Sequence, residues 1–243
     1  MSDIELFRTA SIETSSLCNR TCETCVRNSY PNKKLIASWH KQHLLPLKTI
    51  FEIANQLRDM GFKENICLSH YNEPLLDHRL DKIIEYFKSL GCFRTIYFHT
   101  NGDYMTPTWA EELDGLADKI IVSLYMEKKD ERYAWIQSLF KKTFIDNTDG
   151  SHLTTHHSPR ENLQAKIAEH LPTECKIPMT TMIINHRSQY LLCCEDVFGA
   201  FKLGKFPETS INDYWFGGNH VSIVTMLVAN GRNNYEWCRI CPR

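Results

Sequence analysis

The chain has 243 residues, 42% hydrophobic and 23% charged, with a formal net charge of −1, the make-up of an ordinary globular protein long enough for one large domain and a small appendage. A net charge this close to zero implies no polyelectrolyte partner, so no nucleic acid is expected to bind. With no apolar run of about 18 residues and no N-terminal export signal, the expectation is a cytoplasmic protein that does not span a membrane. Ten cysteines in such a chain point to metal binding rather than to disulfides.

The segment Phe7 to Ser15, rich in Thr, Ser and Ile, is predicted to be a strand. It leads into Cys18-Asn19-Arg20-Thr21-Cys22-Glu23-Thr24-Cys25. A closed zinc site wants four protein ligands, and no fourth Cys or His follows closely. Three thiolates suit three corners of a [4Fe–4S] cube whose fourth iron stays open to a small molecule. Ser29 to Pro46 reads as a polar, basic insertion.

Repeating strand and helix signals follow. Leu47 to Met60 carries Ile50, Phe51, Ala54 and Leu57 at helical spacing and is closed by Gly61. Asn65 to His70 is a short strand that ends at Tyr71-Asn72-Glu73-Pro74. Asp77 is the expected N-cap of a second helix, with Leu80, Ile83, Ile84 and Phe87 on its inner face. Arg94 to His99 is a strand ending at Thr100-Asn101-Gly102-Asp103, and Thr106-Pro107 caps a third helix. Lys119 to Leu124, Glu127 to Lys141 and Thr143 to Asp146 give strand, helix and strand. Such β–α repeats mean a parallel sheet with right-handed crossovers, and five or six strands are too few for a closed barrel. The expected fold is α/β, a partial (β/α)5–6 barrel over residues 1–150. Its ligand mouth lies at the strand ends, where every polar motif falls.

Residues 151–174 are polar and hold His152, His156, His157 and Arg160. They read as a linker or a lid over the mouth, with Arg160 and a histidine, His70 at the end of its strand among them, as substrate contacts. Residues 175–243 form the appendage: a hairpin of Thr181 to Ile184 and Tyr190 to Leu192 around Asn185-His186-Arg187-Ser188, then helices. It carries Cys175, Cys193, Cys194 and the pair Cys238/Cys241. A C-x2-C pair with two remote cysteines fits zinc as well as an iron–sulfur cluster. Cys67 and Cys92 read as buried small hydrophobes.

Taken in order, Cys18-x3-Cys22-x2-Cys25, Tyr71-Asn72-Glu73-Pro74, Thr100-Asn101-Gly102-Asp103 and Ser123 resemble the site segments of the radical S-adenosylmethionine (SAM) superfamily. The last third resembles its twitch domain, a shortened SPASM domain with an auxiliary cluster. The resemblance implies a [4Fe–4S] cluster on Cys18, Cys22 and Cys25 that binds SAM. Thr24, Asn72, Glu73, Thr100, Asn101, Gly102 and Ser123 are then cofactor contacts. It also implies an auxiliary [4Fe–4S] cluster on Cys175, Cys193, Cys238 and Cys241, with Cys193 chosen over Cys194 by the family's Cys-x2-Asp pattern at Asp196. The implied activity is hydrogen abstraction by a 5′-deoxyadenosyl radical, with oxidation of an alcohol on an amino sugar, cyclitol or similar small molecule. A flavodoxin or ferredoxin is the implied electron donor. Thr24 stands where the family usually has an aromatic residue, and Tyr71-Asn72 replaces its paired glycines. A radical SAM epimerase or peptide-modifying enzyme is the alternative, and a zinc-stapled binding protein is the alternative outside enzymes.

Overall fold

The computed structural model describes residues 5–22, 25–29, 34, 37–38, 41–125, 128–148, 174–229, 231–239 and 241. Thr24 and the expected lid with Arg160 lie outside them. Seven strands form one sheet in the order β5-β4-β3-β2-β1-β6-β7. They are β1 (Thr9–Ile12), β2 (Asn65–Cys67), β3 (Thr95–Thr100), β4 (Lys119–Ser123), β5 (Phe144–Thr148), β6 (Thr181–Ile184) and β7 (Tyr190–Leu191). All neighbours are parallel except β6 and β7. The turn α1 (Val26–Ser29) follows the cysteine loop, and α2 (Leu47–Asp59), α3 (Leu80–Ser89), α4 (Pro107–Leu113) and α5 (Lys129–Leu139) connect the strands. The C-terminal part adds α6 (Ile211–Phe216), α7 (Gly218–Val228) and α8 (Glu236–Arg239).

The apolar stripe expected on α3, Leu80, Ile83, Ile84 and Phe87, is buried, and on α2 Ile50, Ala54 and Leu57 are buried with Ile53, while Phe51 is only partly buried. Each large side chain among them contributes roughly 1.5–3 kcal/mol by leaving water. Alternation along β3 turns Ile96 and Phe98 into this core and leaves Tyr97 and His99 on the opposite, concave face. Thr106 caps α4 as expected, its Oγ1 accepting from the Trp109 N–H at 3.1 Å.

One expectation changes. Asp77 is not an N-cap: α3 starts at Leu80, and the fully buried Asp77 carboxylate holds the Arg79 guanidinium through two hydrogen bonds of 2.8 Å. Arg79 in turn donates to the carbonyls of Leu45 and Thr14, so the pair ties the insertion to the sheet. The expected hairpin forms from β6 and β7, and β6 also joins the main sheet by pairing with β1 from Thr9↔Thr181 to Ile12↔Ile184. Met182, Ile183 and Ile184 are at most 1% exposed, and a strand buried on both faces belongs inside a sheet. No helix of the described residues is long and apolar enough to cross a membrane.

Trp215 anchors α6 to the start of the chain. It is fully buried, donates from Nε1 to the Glu5 carbonyl at 3.0 Å, and stands edge-on to Phe7 with centroids 4.8 Å apart. Trp215→Ala is expected to cost ~3–5 kcal/mol, read as a lower urea midpoint of the whole transition. An unchanged midpoint would show that the C-terminal helices share no core with the sheet.

Candidate functional site

A cavity of ≈ 370 Å³ opens at the C-terminal ends of the strands. Cys18, Cys22 and Cys25 line it together with Thr100, Asn101 and Ser123. His70, Tyr71, Asn72 and Glu73 form the wall after β2. The floor is the concave face of the sheet, where Thr9, Ser11, Ser69, Tyr97, His99 and Thr181 present mostly hydroxyl groups.

Glu73 links three of these segments. Its carboxylate, 2% exposed, accepts from the Thr100 hydroxyl at 2.6 Å, the Asn101 N–H at 2.7 Å and the Leu75 N–H at 3.1 Å. Its own N–H donates to the Leu17 carbonyl, next to Cys18, at 2.7 Å. Burial pushes the Glu73 carboxyl up to about 7 against the pull of these donors.

The residues between the cysteines fasten their loop to the one after β3. Arg20 binds Asp103 bidentately at 2.7 and 2.6 Å, while Asn19 donates to Asp103 at 2.7 Å and accepts from Asn101 Nδ2 at 2.8 Å. From α1, the buried Arg27 donates to the carbonyls of Tyr71 at 2.9 Å and Ser16 at 2.6 Å. Burial raises all three thiols, Cys25 to about 11; Arg27 pulls Cys18 and Cys25 down, and Arg20 does the same for Cys22. The same arginines that shape the loop therefore favour its thiolates.

Asn72 Oδ1 accepts from the His70 N–H at 3.0 Å, while Asn72 Nδ2 and His70 Nε2 are buried without a hydrogen-bond partner. Gly102 does not line the cavity. Its φ is +73°, and a Cβ would meet Leu124 Cδ2 at 2.8 Å, so it shapes the turn that Arg132 holds through the Gly102 carbonyl. Cys67 is buried as expected, but it also lines the cavity; Cys92 is only partly buried and lies away from it.

Cys193 and Cys194 diverge at a bend rather than along a strand. Cys194 lines the cavity. Cys193 is raised by burial and then by its neighbours Cys194, Asp196 and Cys241, while burial and Cys175 push Cys238 up to about 11. Asp196 closes the bend, accepting from the Leu192 N–H at 3.0 Å and the Ala200 N–H at 2.6 Å. Arg232, 2% exposed, grips the C-x2-C loop by donating to the carbonyls of Cys238 and Cys241, the latter at 2.6 Å. Among the described residues no three His, Cys, Asp or Glu side chains stand placed to hold one metal ion.

Sequence reasoning passed over Glu13, whose only signal was an acid inside the predicted strand Phe7 to Ser15. Glu13 Oε2 meets His186 Nδ1 at 2.5 Å and accepts from the His186 N–H, while Oε1 accepts from the Tyr71 N–H at 3.1 Å. The pair joins the ends of β1, β2 and β6. Burial alone would raise the Glu13 carboxyl, but the hydrogen bond and charge of His186 win and bring it down to about 2.

The sequence model of the radical SAM superfamily matches residues 12–143, more than half of the chain. The S-adenosyl-L-methionine-dependent 2-deoxy-scyllo-inosamine dehydrogenase of Niallia circulans is 26% identical over 98% of this chain and 93% of its own length. Among solved structures, BtrN in complex with AdoMet and 2-DOIA matches with a TM-score of 0.76 at 23% identity, covering 98% of this chain and 94% of that one. Streptococcus suis SuiB bound to S-adenosylmethionine matches at 0.60 and 13% identity, covering 97% and 72%. These likenesses share the partial barrel with its C-terminal hairpin and helices.

Because the folded pKa of Glu13 lies below its ordinary 4.5, its contribution to stability is complete above pH 4.5 and is lost as the pH falls through about 2. The Glu13→Gln protein should lack roughly 3 kcal/mol of that acid dependence, measured as urea midpoints from pH 5 downward. Parallel pH profiles for variant and wild type would contradict the pairing.

Proposed function

Since the chain belongs to the radical SAM superfamily of catalytic oxidoreductases, we propose that it is a SAM-dependent dehydrogenase of a small polyhydroxylated molecule. Cys18, Cys22 and Cys25 would hold a [4Fe–4S] cluster with SAM, and Cys175, Cys193, Cys238 and Cys241 an auxiliary [4Fe–4S] cluster. The donor chemistry fits: two groups of soft thiols, each beside a buried arginine, and a cavity whose wall holds the unpartnered Asn72 Nδ2 and His70 Nε2. When bound, the first cluster with SAM supplies a deoxyadenosyl radical that takes hydrogen from carbon, and the second is the one-electron acceptor that making a ketone requires.

The chain's own residues position and select. Glu73, raised to about 7 in the ligand-free protein, is drawn back to its ionised form by an ammonium such as that of SAM. Asn101, Thr100 and Ser123, which line the same cavity, are proposed as further SAM contacts, and Arg160 as a substrate contact. The hydroxyl-rich floor recognises alcohol groups, and the one observation that carries the substrate reading is that this floor, the first cysteine loop and Cys194 share one cavity. An amino sugar or cyclitol is favoured by the likeness to the Niallia circulans dehydrogenase. A flavodoxin or ferredoxin is the proposed electron donor.

A second reading, epimerisation, is favoured by two cavity thiols, Cys67 and Cys194, either able to return a hydrogen atom. Turnover in deuterated water separates the two: a ketone marks the dehydrogenase, carbon-bound deuterium in an unoxidised product the epimerase.

After anaerobic reconstitution the protein should carry about eight irons, and Cys18→Ala/Cys22→Ala/Cys25→Ala about four. Zinc without iron would sink the proposal. Glu73→Gln replaces an acceptor oxygen with an NH2 that faces the donors around it, and SAM affinity measured by calorimetry should fall roughly tenfold or more. Unchanged affinity would remove Glu73 from the binding site.

A further inference from the structure

We propose that Tyr71 is the positioning residue that joins the two cysteine sites, holding the Cys193–Asp196 bend against the catalytic cavity. The inference rests on the auxiliary-cluster assignment proposed above.

Tyr71 is fastened in three directions. Its N–H donates to Glu13 Oε1 at 3.1 Å, and its carbonyl accepts at 2.9 Å from Arg27, two residues after Cys25. Its hydroxyl donates to the Cys194 carbonyl at 2.8 Å. One residue thus grips the first cysteine loop with its main chain and the second site with its side chain. The ring itself lines the cavity, stands edge-on to His70 with centroids 4.4 Å apart, and packs with Phe198 against the buried Val197.

Burial pushes the Tyr71 phenol well above its ordinary range, and Glu195, Cys194, Cys25 and Cys193 push it further. The hydroxyl therefore stays protonated at neutral pH and remains a donor. The carbonyl it holds belongs to the residue between Cys193 and Glu195, so the hydrogen bond sets which way the bend turns Cys193 from the cavity that Cys194 lines. Hydrogen bonds and solvent access just outside the ligands tune an iron–sulfur cluster, and losing such a contact typically costs tenfold or more in activity. Phenylalanine keeps the ring and its packing but removes the hydroxyl, and with it the bond to the Cys194 carbonyl.

The test uses Tyr71→Phe in the full enzyme and in the Cys18→Ala/Cys22→Ala/Cys25→Ala background, where only the second cluster remains. In that background the expected result is about four irons per chain, with the EPR signature and midpoint potential displaced from those of the background protein alone. In the full enzyme, product formed per 5′-deoxyadenosine released should fall roughly tenfold, and Tyr71→Leu, which also loses the ring, should fall at least as far. A spectrum, potential and product ratio identical to those of the parent proteins would overturn the proposal. A background protein without iron would overturn the auxiliary-cluster assignment, and this inference with it.

Discussion

A carboxylate held out of water is the constraint on which the cavity depends. Glu73 is almost fully buried at the end of β2, where an unpaired charge would cost several kcal/mol. Its donors come from the loop that follows β3 and from its own turn, so those segments cannot move apart without stranding it. Asn101 passes the constraint on to Asn19, and the Glu73 N–H passes it to Leu17. The three thiols at the mouth therefore take their place from a residue that is not itself a thiol.

Glu13 repeats the device on the other side, at the junction of β1, β2 and β6. Arginines hold main-chain carbonyls in the loops, four of them being Arg27 after the first cysteine loop, Arg79 on the insertion, Arg132 at the Gly102 turn and Arg232 on the C-x2-C loop. Loops at strand ends leave many carbonyls without ladder partners, and a guanidinium satisfies several at once in a fixed geometry. Two of these four, Arg27 and Arg232, also set the local field around thiols. Loop order and thiol chemistry thus share the same side chains, in a chain that has almost no net charge.

Much of this was legible in the residues. The stripes on α2 and α3, the Thr106 cap and the parallel order of β1 to β5 follow from periods and caps that act within one turn or one strand. Asp77 was misread because the cap rule considers one side chain and the next helix, whereas Arg79 competed for it. The extra strand beside β1 was not legible: a period of two says which face a residue takes, not which strand lies next to it.

Cysteine spacing, the polar motifs behind each strand and the apolar periods determined the kind of chemistry and the α/β frame, since thiol chemistry and helix periodicity are local properties. Tertiary structure alone decided that Glu13 meets His186 across 173 residues, that Cys194 and Cys67 line the cavity, and that Tyr71 bonds both Arg27 and the Cys194 carbonyl. Those outcomes depend on which distant backbone segments are brought side by side, and that is settled by burial and by the pairing of buried charges over the whole chain.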